Sequence, residues 1–309
     1  MNNKMAVRGG AGDILEPKVG TRPQDNLYLA VNSEWLENVK IPSDRSRIAS
    51  FDNIDLDVEK KLMKDFADFA DGKKEVADVP NLKKAVELYK LARDFKRRDE
   101  DGAKPIQADL ALLEGIRDFA DFNLKAPDLF KAAFALPFSF DVDADMKNTK
   151  INVLQFFGSS IFLPDTTTYK TDAAQKLLDV LKKQSIELLK MAGLSAGQAE
   201  EYVDDAMKFD DKVSKVVKSS EEWADYPAMY NPMPISDFEK KITNFKMDYF
   251  LKEALGEVPD RVIVAEPRYL DHFDELINED NFDEIKGWMI VKFINGVASY
   301  LSQDFREAS

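Results

Sequence analysis

His272 is the only histidine among 309 residues, and there is no cysteine. Those two facts exclude disulfides, thiolate metal sites and cysteine nucleophiles outright. A hydrolytic zinc centre built on one helix needs two histidines four residues apart, a glutamate between them to activate the metal-bound water, and a third ligand further on. One histidine cannot supply it, and His272, in RYLDHFDEL, reads as an ordinary residue at a helix surface or boundary. A serine triad would have to recruit that same histidine, and no Gly-x-Ser-x-Gly turn exists to present a nucleophile. Gly9, Gly10 and Gly12 precede neither a strand-derived turn nor a Lys-Ser/Thr pair, so they form no phosphate loop. The carboxylate pairs Asp141/Asp143 and Asp204/Asp205 have a spacing that chance provides in a chain with 57 acidic residues. What remains is cationic: Arg45 and Arg47, in a polar loop between two apolar-periodic runs. A guanidinium is permanently charged and grips a carboxylate with two parallel hydrogen bonds. The plainer reading is that Arg47 is a solvated loop residue and that Phe51 is the first core residue of the helix that follows.

The elements around that loop can be read from spacing. Asp25 is a suitable N-cap, and Leu27, Tyr28, Val31, Trp35 and Val39 recur at helical intervals until Pro42 forces the preceding residue out of the α region. Ser46 or Ser50 caps the next helix, with Phe51, Ile54, Val58, Leu62, Phe66 and Phe69 on one stripe. Leu82, Ala85, Val86, Tyr89 and Ala92 predict another helix, closed by the charged run 96–102. A third runs from Ile106 to Phe119, and Pro127 starts a short fourth. The period then falls to two: Phe138, Phe140 and Val142, a polar turn, then Ile151 and Val153 predict a β-hairpin. Helical spacing returns at Leu177, Leu181, Ile186 and Leu189 and stops at Gly193. Ser195 with Gln198 is a capping box, a pattern that Ser236 and Glu239 repeat. The run 261–265 reads as a short buried strand, and Phe282 to Tyr300 as a closing helix. The expected fold is mainly α, a helical bundle-like domain with a small β-hairpin element.

The net charge of −14 argues against nucleic acid and anionic membranes, which call for a basic patch. No run of membrane-span length or signal-peptide core occurs, and the lack of cysteine suits a reducing compartment, so the chain is expected to be soluble and cytoplasmic.

Several stretches, in order, resemble the neprilysin-type zinc metallopeptidases. Tyr28, Asn32, Trp35, Ile41-Pro42, Arg47 and Phe51-Asp52 match the opening of that family. LPDTTTYK at 163–170 is similar to its LPDxxYY turn, with Thr168 departing at the first aromatic. MYNPMPISDF at 229–238 is similar to its YNPM segment, and VIVAEPRYL and SYLSQDF fit as well. The resemblance covers nearly the whole chain but only about the first half of a family member. It implies a cap domain that encloses a chamber over a catalytic domain, zinc as the cofactor of the intact enzyme, none of it bound by this chain, and short peptides as substrates. Animal members are membrane-anchored ectodomains with disulfides; this chain is more like the soluble bacterial oligopeptidases. The resemblance assigns substrate contacts to Arg47, as partner of a peptide's C-terminal carboxylate, and to Phe51 and Asp52. It assigns no catalytic or metal residue. Glu201 and Asp205 have the spacing of the family's third zinc ligand and its supporting Asp, but no histidine pair precedes them, and they read as the solvated side of a helix.

The expected organisation is therefore a flexible leader at 1–22, a lead-in segment at 23–54 contributing to the active-site cavity, and a mostly helical cap domain at 55–309, truncated before the zinc domain. Its partners would be peptide substrates and that catalytic domain. The rival reading is a stand-alone helical module that binds peptides or proteins without catalysis.

Overall fold

Asn26, not Asp25, caps the first helix: its side chain accepts the Leu29 N–H in α1 (Leu27–Asn38). The computed structural model describes residues 7–8, 14–15, 18–43, 45 and 48–309. Two short strands, β1 (Val7–Arg8) and β2 (Ile14–Leu15), pair antiparallel. The second helix, α2 (Ser50–Ala70), starts from an extended Ala49 with Ser50 already in its first turn, so Ser50 is not its cap, and Ser46 lies outside the described residues. The third, α3 (Pro80–Ala92), covers the predicted span. Backbone contacts divide the chain into two units, residues 1–91 and 92–309.

In the second unit the charged run at 96–102 is itself a helix, α4 (Phe95–Asp101), because Asp94 accepts the Arg97 N–H and starts a new turn. The predicted third helix is split. A short 3-10 turn and α5 (Gln107–Glu114) end at Gly115, and Asp118 caps α6 (Phe119–Lys131). Pro127 therefore lies inside α6 rather than starting a helix. Asp118 accepts the Asp121 N–H at 2.7 Å, and Asp121 in turn accepts Arg117 N–H and Lys125 Nζ. That cap outweighs the single backbone bond proline removes.

The hairpin forms as predicted, with β3 (Ser139–Asp145) antiparallel to β4 (Asn148–Phe157). Helix α7 (Ala174–Met191) stops at Gly193, whose φ of 106° suits only glycine. The Ser195–Gln198 box opens α8 (Ala196–Ser214). A second box, Ser219 with Glu222, opens the short α9 (Ser220–Trp223). The predicted Ser236–Glu239 box does not form. Pro234 precedes α10 (Ile235–Lys240), and the Ile235 N–H is taken by Asp260 O, so Ser236 lies inside the helix. Pro234 also ends β5 (Pro232–Pro234), which was not expected, and β6 (Arg261–Val264) is the buried strand read from the sequence. The order β3-β4-β6-β5 makes β4 and β6 interior, and their parallel pairing aligns Leu154 with Val262. Interior position explains why Val153, Leu154, Gln155 and Phe156 are all buried where simple alternation was expected.

The YNPM segment is a clamp on that sheet. Val264 N–H donates to Asn231 O, and the Asn231 side chain donates back to Val264 O. Tyr230 and Arg261 both donate to the buried Asp145 at the end of β3. Helix α11 (Met247–Leu255) joins Phe138, Phe140, Phe156, Phe238, Phe245 and Phe250 in a continuous aromatic core over one sheet face. After α12 (Pro267–Asp271) and α13 (Phe273–Leu276), α14 (Phe282–Val297) lies along α8, and α15 (Gln303–Ala308) ends the chain. The mainly α fold with a small sheet is as expected.

Candidate functional site

Of the three residues assigned to substrate, Arg47 lies outside the described residues. Phe51 and Asp52 occupy the first turn of α2. Phe51 is 83% exposed, so it is not the first core residue of its helix, and the Asp52 side chain is half-buried. Ile54, Val58 and Leu62 continue from Phe51 along the same helix at spacings of three and four, each at least 46% exposed. The stripe read as a buried face is open at this end of α2.

The other candidate residues are ordinary. His272 ends α12, half-buried, with Nδ1 2.9 Å from Arg268 O. Asp205 pairs with Lys208 where α8 meets Gly287 of α14, its side chain 17% exposed and not on the solvated side expected, and Glu201 is exposed. Among the described residues no three His, Asp or Glu side chains converge as a metal-ligand group. The donor set a zinc ion requires is not met by these residues.

The sequence picks out the LPD turn at 163–170 but not how the whole loop following β4, residues 158–170, is anchored. Two carboxylates from distant elements, Glu266 and Asp210, and one of its own, Asp165, hold it. Glu266, 3% exposed, accepts Gly158 N–H at 2.7 Å through Oε2 and Lys218 N–H at 2.8 Å through Oε1. Burial pushes this carboxyl above its ordinary range, against the pull of those two donors. Gly158 is obligatory here, because a Cβ would stand 2.7 Å from the Tyr269 ring and 2.9 Å from Glu266. Asp165 accepts Thr167 and Ser220 N–H groups, and the Ser220 and Thr167 bonds hold its carboxyl well below the usual range. Asp210, on α8, accepts Phe162 N–H at 2.8 Å and the Tyr169 hydroxyl. Burial raises Asp210 to about 6, and those two hydrogen bonds and the Lys292 ammonium oppose the rise. Lys292 is itself lowered to about 8 by burial; it donates to Ile161 O at 2.9 Å.

Between this loop, α9 and the segment that follows α8 lies a cavity of about 540 Å³. Phe157, Phe162, Leu163, Val217 and Trp223 give it apolar walls, and Lys218 is its one lysine.

The fold and these clamped motifs define the chain's class through comparison with known proteins. The model described as peptidase family M13, in its N-terminal form, matches residues 23–309. The chain belongs to peptidase family M13, of neprilysin type, as the N-terminal half. It is 57% identical to a neutral endopeptidase of Lactobacillus helveticus over 309 residues, all of this chain and 48% of that protein. It is 38% identical to a neutral endopeptidase of Lactococcus lactis subsp. cremoris over 289 residues, 93% of this chain and 46% of that one. The crystal structure of PEPO from Lactobacillus rhamnosis superposes with a TM-score of 0.78 at 28% identity, over 93% of this chain and 45% of that one. The chain thus spans about half the length of the relatives it matches.

Proposed function

We propose that this chain is the non-catalytic N-terminal region of a zinc metalloendopeptidase acting on short peptides, and that it shapes the chamber in which they bind. The observation that carries this reading is the family match across 23–309 at about half of each relative's length. Zinc, and the water it activates, belong in this reading to the half that the present residues do not span. Residues 23–54 form the lead-in to the substrate cavity, 1–22 a leader before it, and 55–309 the cap. Arg47 pairs with the carboxylate end of the peptide, while Phe51 and Asp52 line the adjoining pocket. The exposure of Phe51 supports that role, since a wall residue must be open to its ligand. In this reading the intact enzyme works in the cytoplasm, the reducing compartment that a sequence without cysteine suits.

The test joins this chain to the remaining half of the Lactobacillus helveticus relative. The fusion is expected to hydrolyse a quenched peptide in a chelator-sensitive way, and the 309-residue chain to show no turnover above a mock preparation. Chelator-sensitive turnover by the chain alone, or an inert but folded fusion, would overturn the reading.

A further inference from the structure

The cavity beside the LPD turn has an imbalance that the peptidase reading does not use. Its carboxylates are already committed: both Glu266 oxygens accept backbone N–H groups, and so do both of Asp165. Its cation is not. Lys218 Nζ is shielded from water and has no hydrogen-bond partner. It rests 5.0 Å from the centre of the Trp223 ring, and that ring lies 6.0 Å from Phe157. The cation–π contact and the charge of the nearby Glu266 carboxylate offset only part of the cost of an ammonium that donates no hydrogen bond.

The ligand chemistry follows by elimination. A cation would meet carboxylate oxygens that each already hold a backbone N–H, beside a fixed ammonium that repels it. A phosphate ester calls for more than a single point charge. A neutral apolar molecule would fill the walls but leave the ammonium unpaired. A carboxylate attached to an apolar group satisfies both, and the volume suits one or two amino-acid residues.

We propose that this cavity binds the free carboxylate of an apolar or aromatic amino-acid residue, with Lys218 as its anchor and Trp223 and Phe157 as its walls. The site lies wholly within residues 92–309 and does not depend on the roles given to Arg47 or to a catalytic half. Binding displaces the indole from the ammonium, so Trp223 reports it.

The experiment uses the 309-residue chain, with N-acetyl-phenylalanine and N-acetyl-phenylalaninamide titrated by calorimetry and by tryptophan fluorescence. The acid is expected to bind about 10- to 100-fold more tightly than the amide, the range for a hydrogen bond to a charged group. Lys218→Met should erase that preference with little change in Tm, since the ammonium donates no hydrogen bond; Lys218→Gln serves the same purpose should methionine disturb folding. Free phenylalanine and the dipeptide Ala-Phe separate the two sources. Weaker binding of free phenylalanine identifies peptide ends as the ligand, and equal binding identifies the free amino acid, each in support of the site. No binding of the acid below about 10 mM, equal affinity for acid and amide, or a preference that survives both Lys218 variants would overturn it.

Discussion

Asp210 shows how one buried carboxyl makes the loop at 158–170 sensitive to pH. Its folded pKa of about 6 lies above the ordinary 3.8. The folded state therefore holds the proton more tightly than the unfolded chain, and the associated stability is fully present below pH 4 and lost as pH rises through 6. Two units correspond to about 3 kcal/mol. The groups facing it are the Tyr169 hydroxyl, the Lys292 ammonium and Asp211. Asp210→Asn mimics the protonated form, so its stability relative to wild type should rise by up to about 3 kcal/mol between pH 4 and 7. Urea unfolding at four pH values reads this difference, and the low-pKa carboxylates Asp121 and Glu222, both near 2, cancel because both proteins keep them. A flat difference would mean that Asp210 does not titrate in that window. Arg47 offers the second test at this scale, in the fusion enzyme. Arg47→Ala and Arg47→Met should each cost about 10- to 100-fold in kcat/KM on free-acid peptides and much less on their amides. Equal losses on both peptide sets would reject the carboxylate role.

At the scale of elements, α14 carries two glycines with opposite consequences. A Cβ on Gly287 would stand 2.5 Å from Tyr202 O of α8, whereas one on Gly296 meets nothing within 4 Å. Gly287→Ala should force the two helices apart and cost about 1–3 kcal/mol despite alanine's better helix propensity. Gly296→Ala should gain about 0.4–1 kcal/mol through the unfolded state. Thermal unfolding of the two variants checks the pair, and a shared sign would contradict the close approach of α8 and α14. The same elements show what was legible in the sequence. Helix α8 could be read because its cap and its stripe are both local, and the hairpin because its period changes within a few residues. Pro127 misled because the cap that decides α6 stands nine residues earlier, at Asp118. Ser236 misled because Ile235 is held by Asp260, a partner the local pattern does not contain. The cavity was illegible for the same reason: Glu266 reaches Gly158 across 108 positions and Asp165 reaches Ser220 across 55. Lys218 looks like any other lysine until Trp223 is placed over it.

At the scale of the molecule, the open stripe of α2 calls for an explanation. Beyond Phe51, whose exposure the pocket role uses, Ile54, Val58 and Leu62 are 59, 46 and 51% exposed, a contiguous apolar face on a helix otherwise rich in charge. Single exposed apolar residues are commonplace, but an aligned set marks a surface that meets a partner. In the proposed function that partner is the remainder of the peptidase chain. The expectation separates two kinds of stability. Leu62→Glu in the 309-residue chain removes little buried area, so its free energy of unfolding should change by no more than about 0.5 kcal/mol. In the fusion the same change would bury a carboxylate against apolar surface, and should cost several times as much in stability and lower peptide turnover. Thermal unfolding of both proteins, with turnover of the fusion, decides the matter. A fusion that tolerates Leu62→Glu as well as the shorter chain does would show that the stripe meets water in the intact enzyme, and the docking role would then have to lie elsewhere.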